Sequence, residues 1–454
     1  MQIPEGPSLS PPELMQIFLS NPFPFFEECR QSYGNIFSLD LGNSGYRTTN
    51  TNGLWVLVNG QKYNSLLAKL NRKITLPGAA SAISNAGLLP TNYIGNLNGA
   101  NRARLHAALR KCAKHFAKHS AHSISPFDRK LAELSSGSST RKHDNLRGFL
   151  TELVYSSLFN TFFGDDLDDQ KNLKQVLLQC YLSEPSVAAI RLAFQDSIPA
   201  LNALIDLKKK RLVKNPTSSH TLSYLDSSIF AQSNGSRITD EEIRDNTICY
   251  YVLFSQAILA ILGWSIVWLT REPEALKKAL EEIHRIEPIN DSSISNVDTL
   301  YPYLHALVSE VCRLSPMSSI HSEQLLTQHV NLNGLDIPKG SIIASVPFLT
   351  HTDPSLFENP LSFEPTRFLK QNYNDQALNP SNIGGKQTYP WSNSYIKKQA
   401  TALLIPLLKT LTIEKLKLGV VPELSRSVYM PISLRNTSPK IRESSEASTP
   451  EFIS

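Results

Sequence analysis

Three charged residues in this 454-residue chain have the types and the spacing of a buried charge cluster. In "SEVCR", Glu310 and Arg313 are three residues apart, so a helix would place them on one face, where their side chains can pair. The pair can also hydrogen-bond to a third charged group, and Arg367 in "FEPTRF" is the candidate. Because buried charges must be compensated, we expect these residues to form a structural cluster that holds the chain around Arg367 in place.

The stretch "TYPWSNSYIKKQATALLIPLL", at residues 388–408, has the pattern of a loop that leads into an apolar helix. The loop offers no strong ligand for a metal or a cofactor, and Tyr395 is the nearest candidate. No cysteine follows Cys312, and the five cysteines form neither a CxxC motif nor a cluster with histidine. We therefore predict that the protein has no metal site.

Polar groups that could act on a substrate are few, and two of them stand in the apolar stretch "LFSQAILAILGW". Ser255, Gln256 or Tyr429 could polarise a substrate carbonyl, but no residue is identifiable as a catalytic base. The stretch itself would form the wall of an apolar pocket. The candidate pocket residues are Phe254, Ser255, Gln256, Ile258, Leu259, Met317 and Tyr429. Each of them is also compatible with an ordinary position in a protein core.

The elements that position these residues are mainly helical. Between residues 60 and 270, apolar residues recur mostly at three- and four-residue spacing, which is typical of amphipathic helices. Residues 248–269 are long and apolar enough to span a bilayer, but a helical pattern continues directly beyond them. We interpret that stretch as a buried central helix and predict no transmembrane anchor.

Short strands are predicted on both sides of the helical region. "NIFSLDLG" and "LWVLVNG" precede it, and "HVNLNGLDIPKGSIIASVP" contains strand-like runs around Asn-Gly and Pro-Lys-Gly turns. The predicted fold class is therefore mainly α with small β-sheets, an α+β arrangement. We predict a single domain over residues 1–435, followed by a polar and disordered tail at residues 436–454.

Composition narrows the classes of function and partner. Hydrophobic residues make up 41% of the chain and charged residues 19%, which fits a globular protein and not a disordered or collagen-like one. The net charge of +5 is small for this length, so nucleic acid is not an expected partner. The N-terminus lacks the pattern of a signal peptide and the cysteines suggest reduced thiols, so we expect a cytoplasmic protein.

The chain resembles the cytochrome P450 family, and within it the fungal enzymes of secondary metabolism, over nearly its whole length. "NPFPFFEECRQSYGNIFSLDLG" is similar to an N-terminal segment of the family, and "GWSIVWLTREPEALKKALEEI" to the end of its central helix and the next helix. Glu310 and Arg313 match its ExxR motif, and "FEPTRF" matches its PERF motif. The run before that motif also matches, at His351, Asp353, Pro354, Phe363 and Pro365. The resemblance implies the P450 fold.

One departure from the family concerns the iron ligand. In the family, a loop carries a cysteine whose thiolate binds the haem iron, and a helix follows. Here "YPW" and "IKKQATALLIPLLKTL" match the two sides of that loop, but only "SNSY" stands between them. Basic residues that could pair with haem propionates are also few, and Arg104 and His321 are the candidates that the resemblance suggests.

A second departure concerns the central helix. The family usually has an acid or an amide beside a threonine there, to deliver protons to bound dioxygen. Ser255 and Gln256 resemble a fungal variant of this pattern, but Ala257, Ile258 and Leu259 replace the polar pair that is expected next. The residues that hold the family's structure are thus present, while those that carry its chemistry are altered at two places.

These departures favour a haem-less P450-like enzyme that uses no cofactor. Its substrate would be an apolar small molecule of natural-product biosynthesis, a terpenoid or a polyketide, enclosed in the pocket. The reaction would be a redox-neutral cyclisation or isomerisation, with pericyclic ring closure of the Diels–Alder type as one form. It would be promoted by holding a flexible substrate in a reactive shape.

Two alternatives stay open. The chain could be a P450 monooxygenase whose gene model is defective, or one that binds haem through another ligand. It could also be a non-catalytic pseudoenzyme, or a partner that binds a substrate or a neighbouring enzyme. The visible spectrum of protein expressed with a haem precursor distinguishes the monooxygenase from the other two.

Overall fold

The structure is a computed structural model of the 454-residue chain. It describes residues 3–20, 22–42, 52–70, 75–76, 90–119, 125–135, 146–164, 173–178, 187–214, 222–286, 296–316, 320–332, 334–369 and 393–410. The expected tail at 436–454 and the pocket candidates Met317 and Tyr429 lie outside these ranges. The division of the chain into one domain and a tail therefore stays a prediction.

Helices form most of the described chain. They are α1 (Pro11–Ser20), α2 (Pro22–Tyr33), α3 (Gly60–Lys69), α4 (Gly99–His119), α5 (Ser125–Ser135), α6 (Leu146–Phe163), α7 (Val187–Lys214), α8 (Tyr224–Ser233), α9 (Asp240–Arg271), α10 (Pro273–Arg285), α11 (Val297–Leu300), α12 (Pro302–Leu314), α13 (Pro347–His351) and α14 (Asn393–Thr410). Short 3₁₀ turns span Ile94–Asn96 and Pro365–Leu369.

The described strands form two small sheets. They are β1 (Ile36–Asp40), β2 (Leu54–Val58), β3 (Thr75–Leu76), β4 (His321–Leu326), β5 (Val330–Leu332), β6 (Leu335–Ile337) and β7 (Ile342–Ser345). The larger sheet has the order β1-β2-β7-β4-β3, with β2 and β7 parallel and the other neighbours antiparallel, and β5 pairs with β6. In the parallel pair, Trp55 lies opposite Ile342, so the sheet joins distant parts of the chain.

The 32-residue helix α9 is the central element of the helical body and packs against α6, α7, α8, α12 and α14. Its first turn is a capping box, in which Thr239 Oγ1 accepts a hydrogen bond from Glu242 N and the Glu242 carboxylate accepts one from Thr239 N. Among the described residues, α9 alone is long and apolar enough to cross a membrane, but 67% of its most apolar window is buried inside the protein.

The fold class predicted from the sequence is confirmed, because helices dominate and the strands form only small sheets. The predicted strands in "NIFSLDLG" and "LWVLVNG" correspond to β1 and β2. The apolar stretch at 248–269 is part of α9, whose side chains lie mostly in the main hydrophobic core.

The capping box of α9 gives a direct stability prediction. Replacing Thr239 by alanine removes the acceptor for Glu242 N, so the free energy of unfolding should fall by about 1 kcal/mol. Thr239→Ser keeps the hydroxyl oxygen and should stay within about 0.5 kcal/mol of the parent chain. Chemical denaturation of the three proteins measures both changes, and equal losses in the two variants would contradict the capping role.

Candidate functional site

Glu310 lies at the centre of a buried charge cluster near the end of α12. Its carboxylate oxygens accept hydrogen bonds from Arg313 Nε and Nη2, both at 2.7 Å, and from Arg367 Nε at 3.1 Å. The backbone N–H of Glu364 donates a further bond at 2.8 Å. Glu310 and Arg313 are 0% exposed and Arg367 is 2% exposed, so water cannot replace these bonds.

Other N–H groups of the two arginines donate hydrogen bonds to main-chain carbonyls of the segment that runs from the end of α13 to the 3₁₀ turn Pro365–Leu369. Arg313 Nη1 donates to His351 O at 2.9 Å, and Arg367 Nη1 donates to Glu358 O at 2.9 Å. The guanidinium of Arg313 also lies 5.0 Å from the ring centroid of Phe357. The cluster therefore fixes this segment onto α12.

A partly exposed patch interrupts the buried surface of α9 near the middle of the helix. It consists of Leu253, Gln256, Ala257 and Leu259 and is called the Gln256 patch below. Leu253 and Leu259 stand three residues before and after Gln256, so the three side chains lie on adjacent turns along one side of the helix. Gln256 makes no hydrogen bond with the described residues, and it is the one polar side chain of the patch.

Other sides of α9 are closed by aromatic packing. The ring of Phe254 lies 5.7 Å from that of Phe162 on α6 and 5.8 Å from that of Tyr395 on α14. Tyr251 OH donates a hydrogen bond to Tyr155 O at 2.7 Å. Burial raises the pKa of the Tyr395 phenol, so this group is protonated at neutral pH. These contacts fix α9 between α6 and α14.

The structure separates the pocket residues that the sequence suggested. Gln256 and Leu259 lie on the Gln256 patch, whereas Ser255 and Ile258 are 0% exposed and Phe254 is buried against α6 and α14. The hydroxyl of Ser255 has no hydrogen-bond partner in the described structure. Of these two polar side chains, Gln256 is the partly exposed one.

Sequence reasoning missed Leu253 and a loop that crosses the start of α9. Asn246 Oδ1 accepts a hydrogen bond from Ile94 N at 3.0 Å, and Asn246 Nδ2 donates to Asn92 O at 2.9 Å. Asp245 Oδ2 accepts another from Asn92 Nδ2 at 2.9 Å. The helical period would have placed Leu253 on the patch, but the loop contacts join residues far apart in sequence and leave no local signal.

The resemblance suggested two basic residues as partners of haem propionates. One of them is already in an ion pair, and the other is uncharged at neutral pH. Arg104 Nη1 donates to a carboxylate oxygen of Glu242 at 3.1 Å, and its Nη2 pairs with the other oxygen. Burial lowers the pKa of His321 to about 4, so its imidazole is neutral at pH 7. Neither side chain therefore supplies a positive charge that a haem propionate could pair with.

The described cysteines Cys29, Cys112, Cys249 and Cys312 are not joined in disulfides. Burial raises the pKa of Cys29 to about 12 and that of Cys112 to about 11, and it also raises the pKa of Cys249. These three thiols are therefore protonated at neutral pH. Within the described ranges, no group of three or more His, Cys, Asp or Glu side chains is arranged to hold a metal ion.

Comparisons with known proteins relate the chain to one family. The family model for cytochrome P450 matches residues 4–384. Flavonoid 3'-monooxygenase of Arabidopsis thaliana is 31% identical over 140 residues, which are 30% of this chain and 26% of that enzyme. (+)-Menthofuran synthase of Mentha piperita is 35% identical over 120 residues, 26% of this chain and 24% of that enzyme. The alignments thus span about a quarter of these two relatives.

The fold is also that of a solved structure, retinoic acid-bound cyanobacterial CYP120A1. The TM-score is 0.66 at 17% sequence identity, and the match covers 90% of this chain and 92% of that chain. At this identity the likeness shows the fold alone.

The expectation that the protein uses no cofactor is wrong, because the family match and the fold point to haem. That expectation was drawn from two local departures, whereas the match extends over most of the chain. The donor set of this sequence nevertheless does not fit a thiolate-bound haem, since no cysteine follows Cys312. The family match ends at residue 384, and residues 370–392, where the iron ligand is expected, lie outside the described ranges.

The Glu310 cluster predicts a large and specific loss of stability. Glu310→Ala leaves two buried arginines without their carboxylate, so the free energy of unfolding should fall by about 3–5 kcal/mol. The matched control is Glu364→Ala, which removes a 44% exposed carboxylate 3.4 Å from Arg367 and should cost less than about 1 kcal/mol. Denaturant titration measures both, and similar losses would show that burial of the carboxylate is not decisive.

Proposed function

The chain belongs to the cytochrome P450 family, and from that premise we propose that it is a monooxygenase that oxygenates an apolar small molecule. The observation that carries the proposal is the intact Glu310 cluster, which fixes the segment before residue 370 onto α12. A buried charge cluster destabilises a protein when one of its charges lacks a partner. The carboxylate of Glu310 and both arginines have their partners here, which supports a stable fold in this region.

The relatives support the reaction class and the kind of substrate. Flavonoid 3'-monooxygenase is named for oxygen insertion, while (+)-menthofuran synthase and cheilanthifoline synthase of Eschscholzia californica are named for biosynthetic products. The Gln256 patch of this chain is apolar apart from one amide, which suits a carbon skeleton with few polar groups. We place the substrate among natural products such as terpenoids or polyketides.

Two groups of residues in this chain have distinct roles in the proposal. The Gln256 patch forms part of the wall that meets the substrate and excludes water from it. Phe254 lies behind that wall, where its contacts with Phe162 and Tyr395 hold α9 between α6 and α14. Haem, when bound, would supply the activation of dioxygen.

The proposal requires an iron ligand that this sequence lacks. Because the shortened loop at residues 392–395 follows the end of the family match at residue 384, we propose a defective gene model between Trp391 and Ile396. The natural messenger RNA would then carry additional codons there, including one for cysteine. The rest of the described fold requires no change.

Sequencing of the transcript, followed by a turnover assay, tests this function. We expect an in-frame cysteine codon between those for Trp391 and Ile396, and NADPH-dependent incorporation of one oxygen atom from labelled dioxygen into an apolar natural product. The substrates assayed would be apolar terpenoid and polyketide intermediates. A transcript identical to this sequence, whose protein incorporates no labelled oxygen, would exclude the monooxygenase.

A second candidate function, a redox-neutral cyclisation in the same pocket, is favoured by one observation. Ala257, Ile258 and Leu259 stand where the family usually has a polar pair, and none of them offers a hydroxyl. A pocket wall without a hydroxyl can still restrict a flexible substrate to a reactive shape. In the most favourable cases such restriction lowers the activation barrier of the reaction by about 7–11 kcal/mol. Product formation without dioxygen and NADPH distinguishes this function. If neither assay gives product, a binding partner or pseudoenzyme remains.

A further inference from the structure

We propose that Lys174 is a modification site, at which the side-chain amine forms a Schiff base with small neutral aldehydes more readily than exposed or ion-paired lysines do. Lys174 lies in the described segment 173–178, beside α5 and α6, and it shares no residue with the Glu310 cluster or the Gln256 patch. The inference therefore goes beyond the proposed function and does not depend on it.

The first step concerns charge compensation around Lys174. Lys130 Nζ lies 2.8 Å from Glu133 Oε1 and 2.8 Å from Glu152 Oε1, so Lys130 is paired with both carboxylates. Lys174 forms no ion pair with a carboxylate of the described residues, and it interacts with these two carboxylates only at longer range. The positive charges of Lys130 and Arg129 oppose a charge on Lys174. The ammonium form of Lys174 therefore lacks the close partners that Lys130 has.

The second step concerns burial of the amine. Lys174 is partly buried, and its Nζ lies 5.7 Å from the centroid of the Phe159 ring. Leu173 and Leu177 in the same segment are 2% and 1% exposed. A charged amine loses hydration in such surroundings, and an aromatic ring replaces only part of it. Burial, with the positive charge of Lys130 as a second cause, lowers the pKa of Lys174, so more of this amine is neutral at a given pH than is usual for lysine.

The third step concerns reactivity. The neutral amine is the nucleophile, and proteins activate lysine by desolvation or by a neighbouring cation, both of which act on Lys174. The nitrogen lone pair attacks the aldehyde carbon and forms a C–N bond. The two hydrogens of the amine then leave with the carbonyl oxygen as water, and a C=N bond remains. The step balances without an oxidant or a reductant.

The charges around Lys174 also define the class of aldehyde. Because the side chain is partly exposed, a small reagent reaches the amine directly from solvent. A cationic aldehyde would meet the positive charges of Lys130 and Arg129, and an anionic one would meet the carboxylates of Glu133 and Glu152. A small and uncharged aldehyde avoids both kinds of repulsion.

Reductive labelling of the full chain tests the inference. The protein is treated at pH 7 with limiting propanal and with sodium cyanoborohydride, which reduces the imine to a stable propylamine, and peptide mass spectrometry measures the adduct at each lysine. We expect at least about threefold more adduct on Lys174 than on the exposed Lys278 or the ion-paired Lys130, since lowering the pKa of an amine by one unit raises its neutral fraction about tenfold at this pH. The α-amino group of the chain is the positive control.

Three variants connect the reactivity to the charges around Lys174. Lys174→Arg keeps a positive charge without the amine and should remove the adduct from this peptide. Lys130→Met removes an opposing charge and leaves two carboxylates for Lys174 to pair with, so the adduct on Lys174 should fall to the level of Lys278. Lys210→Met changes an exposed lysine on α7 and should leave the labelling of Lys174 unaltered.

A pH series gives a readout that accessibility alone would not change. Labelling of Lys174 should rise at lower pH than labelling of Nα-acetyl-lysine in the same solution, because burial lowers the pKa of Lys174. Coinciding pH profiles, or no more adduct on Lys174 than on Lys278, would overturn the inference. So would undiminished labelling of Lys174 in a Lys130→Met protein that thermal unfolding shows to be folded. If that variant does not fold, the pH series and the comparison with Lys278 decide.

Discussion

The structure depends on one buried carboxylate shared by two arginines. Glu310 pairs with Arg313 on its own helix and with Arg367 far along the chain, and all three side chains are almost completely buried. Removing water from three charges is unfavourable unless every hydrogen bond is made, so the cluster forms only when the segment carrying Arg367 docks correctly on α12. This requirement fixes the segment that directly precedes residues 370–392, where the iron ligand of the family is expected.

A second set of contacts positions the central helix. Its capping box determines where α9 begins, and aromatic contacts on α6 and α14 determine which side is left partly exposed. That side presents two leucines, an alanine and one amide. The chemistry of the partly exposed side therefore follows from how α9 is rotated in the core, since a different rotation would expose Ser255 and bury Gln256.

Local patterns in the sequence predicted much of this arrangement. The spacing of Glu310 and Arg313, the helical period of α9 and the alternation in the strands all follow from short-range geometry. Short-range patterns cannot predict contacts between residues that are distant in sequence. Examples are the ion pair of Arg104 with Glu242 and the hydrogen bond from Arg313 to the main-chain carbonyl of His351. The cofactor prediction was wrong for a related reason: it gave two short segments more weight than the match of the chain as a whole.

The chain keeps the frame of the cytochrome P450 family and departs from the family's pattern at two places, the loop of the iron ligand and the middle of the central helix. The carbon monoxide difference spectrum of reduced protein tests this most directly, recorded for this chain and for the product of its sequenced transcript, each expressed with a haem precursor. The account predicts the absorption band of a thiolate-bound haem in the transcript's product and not in this chain. A transcript product without haem, or a thiolate band in this chain, would contradict it.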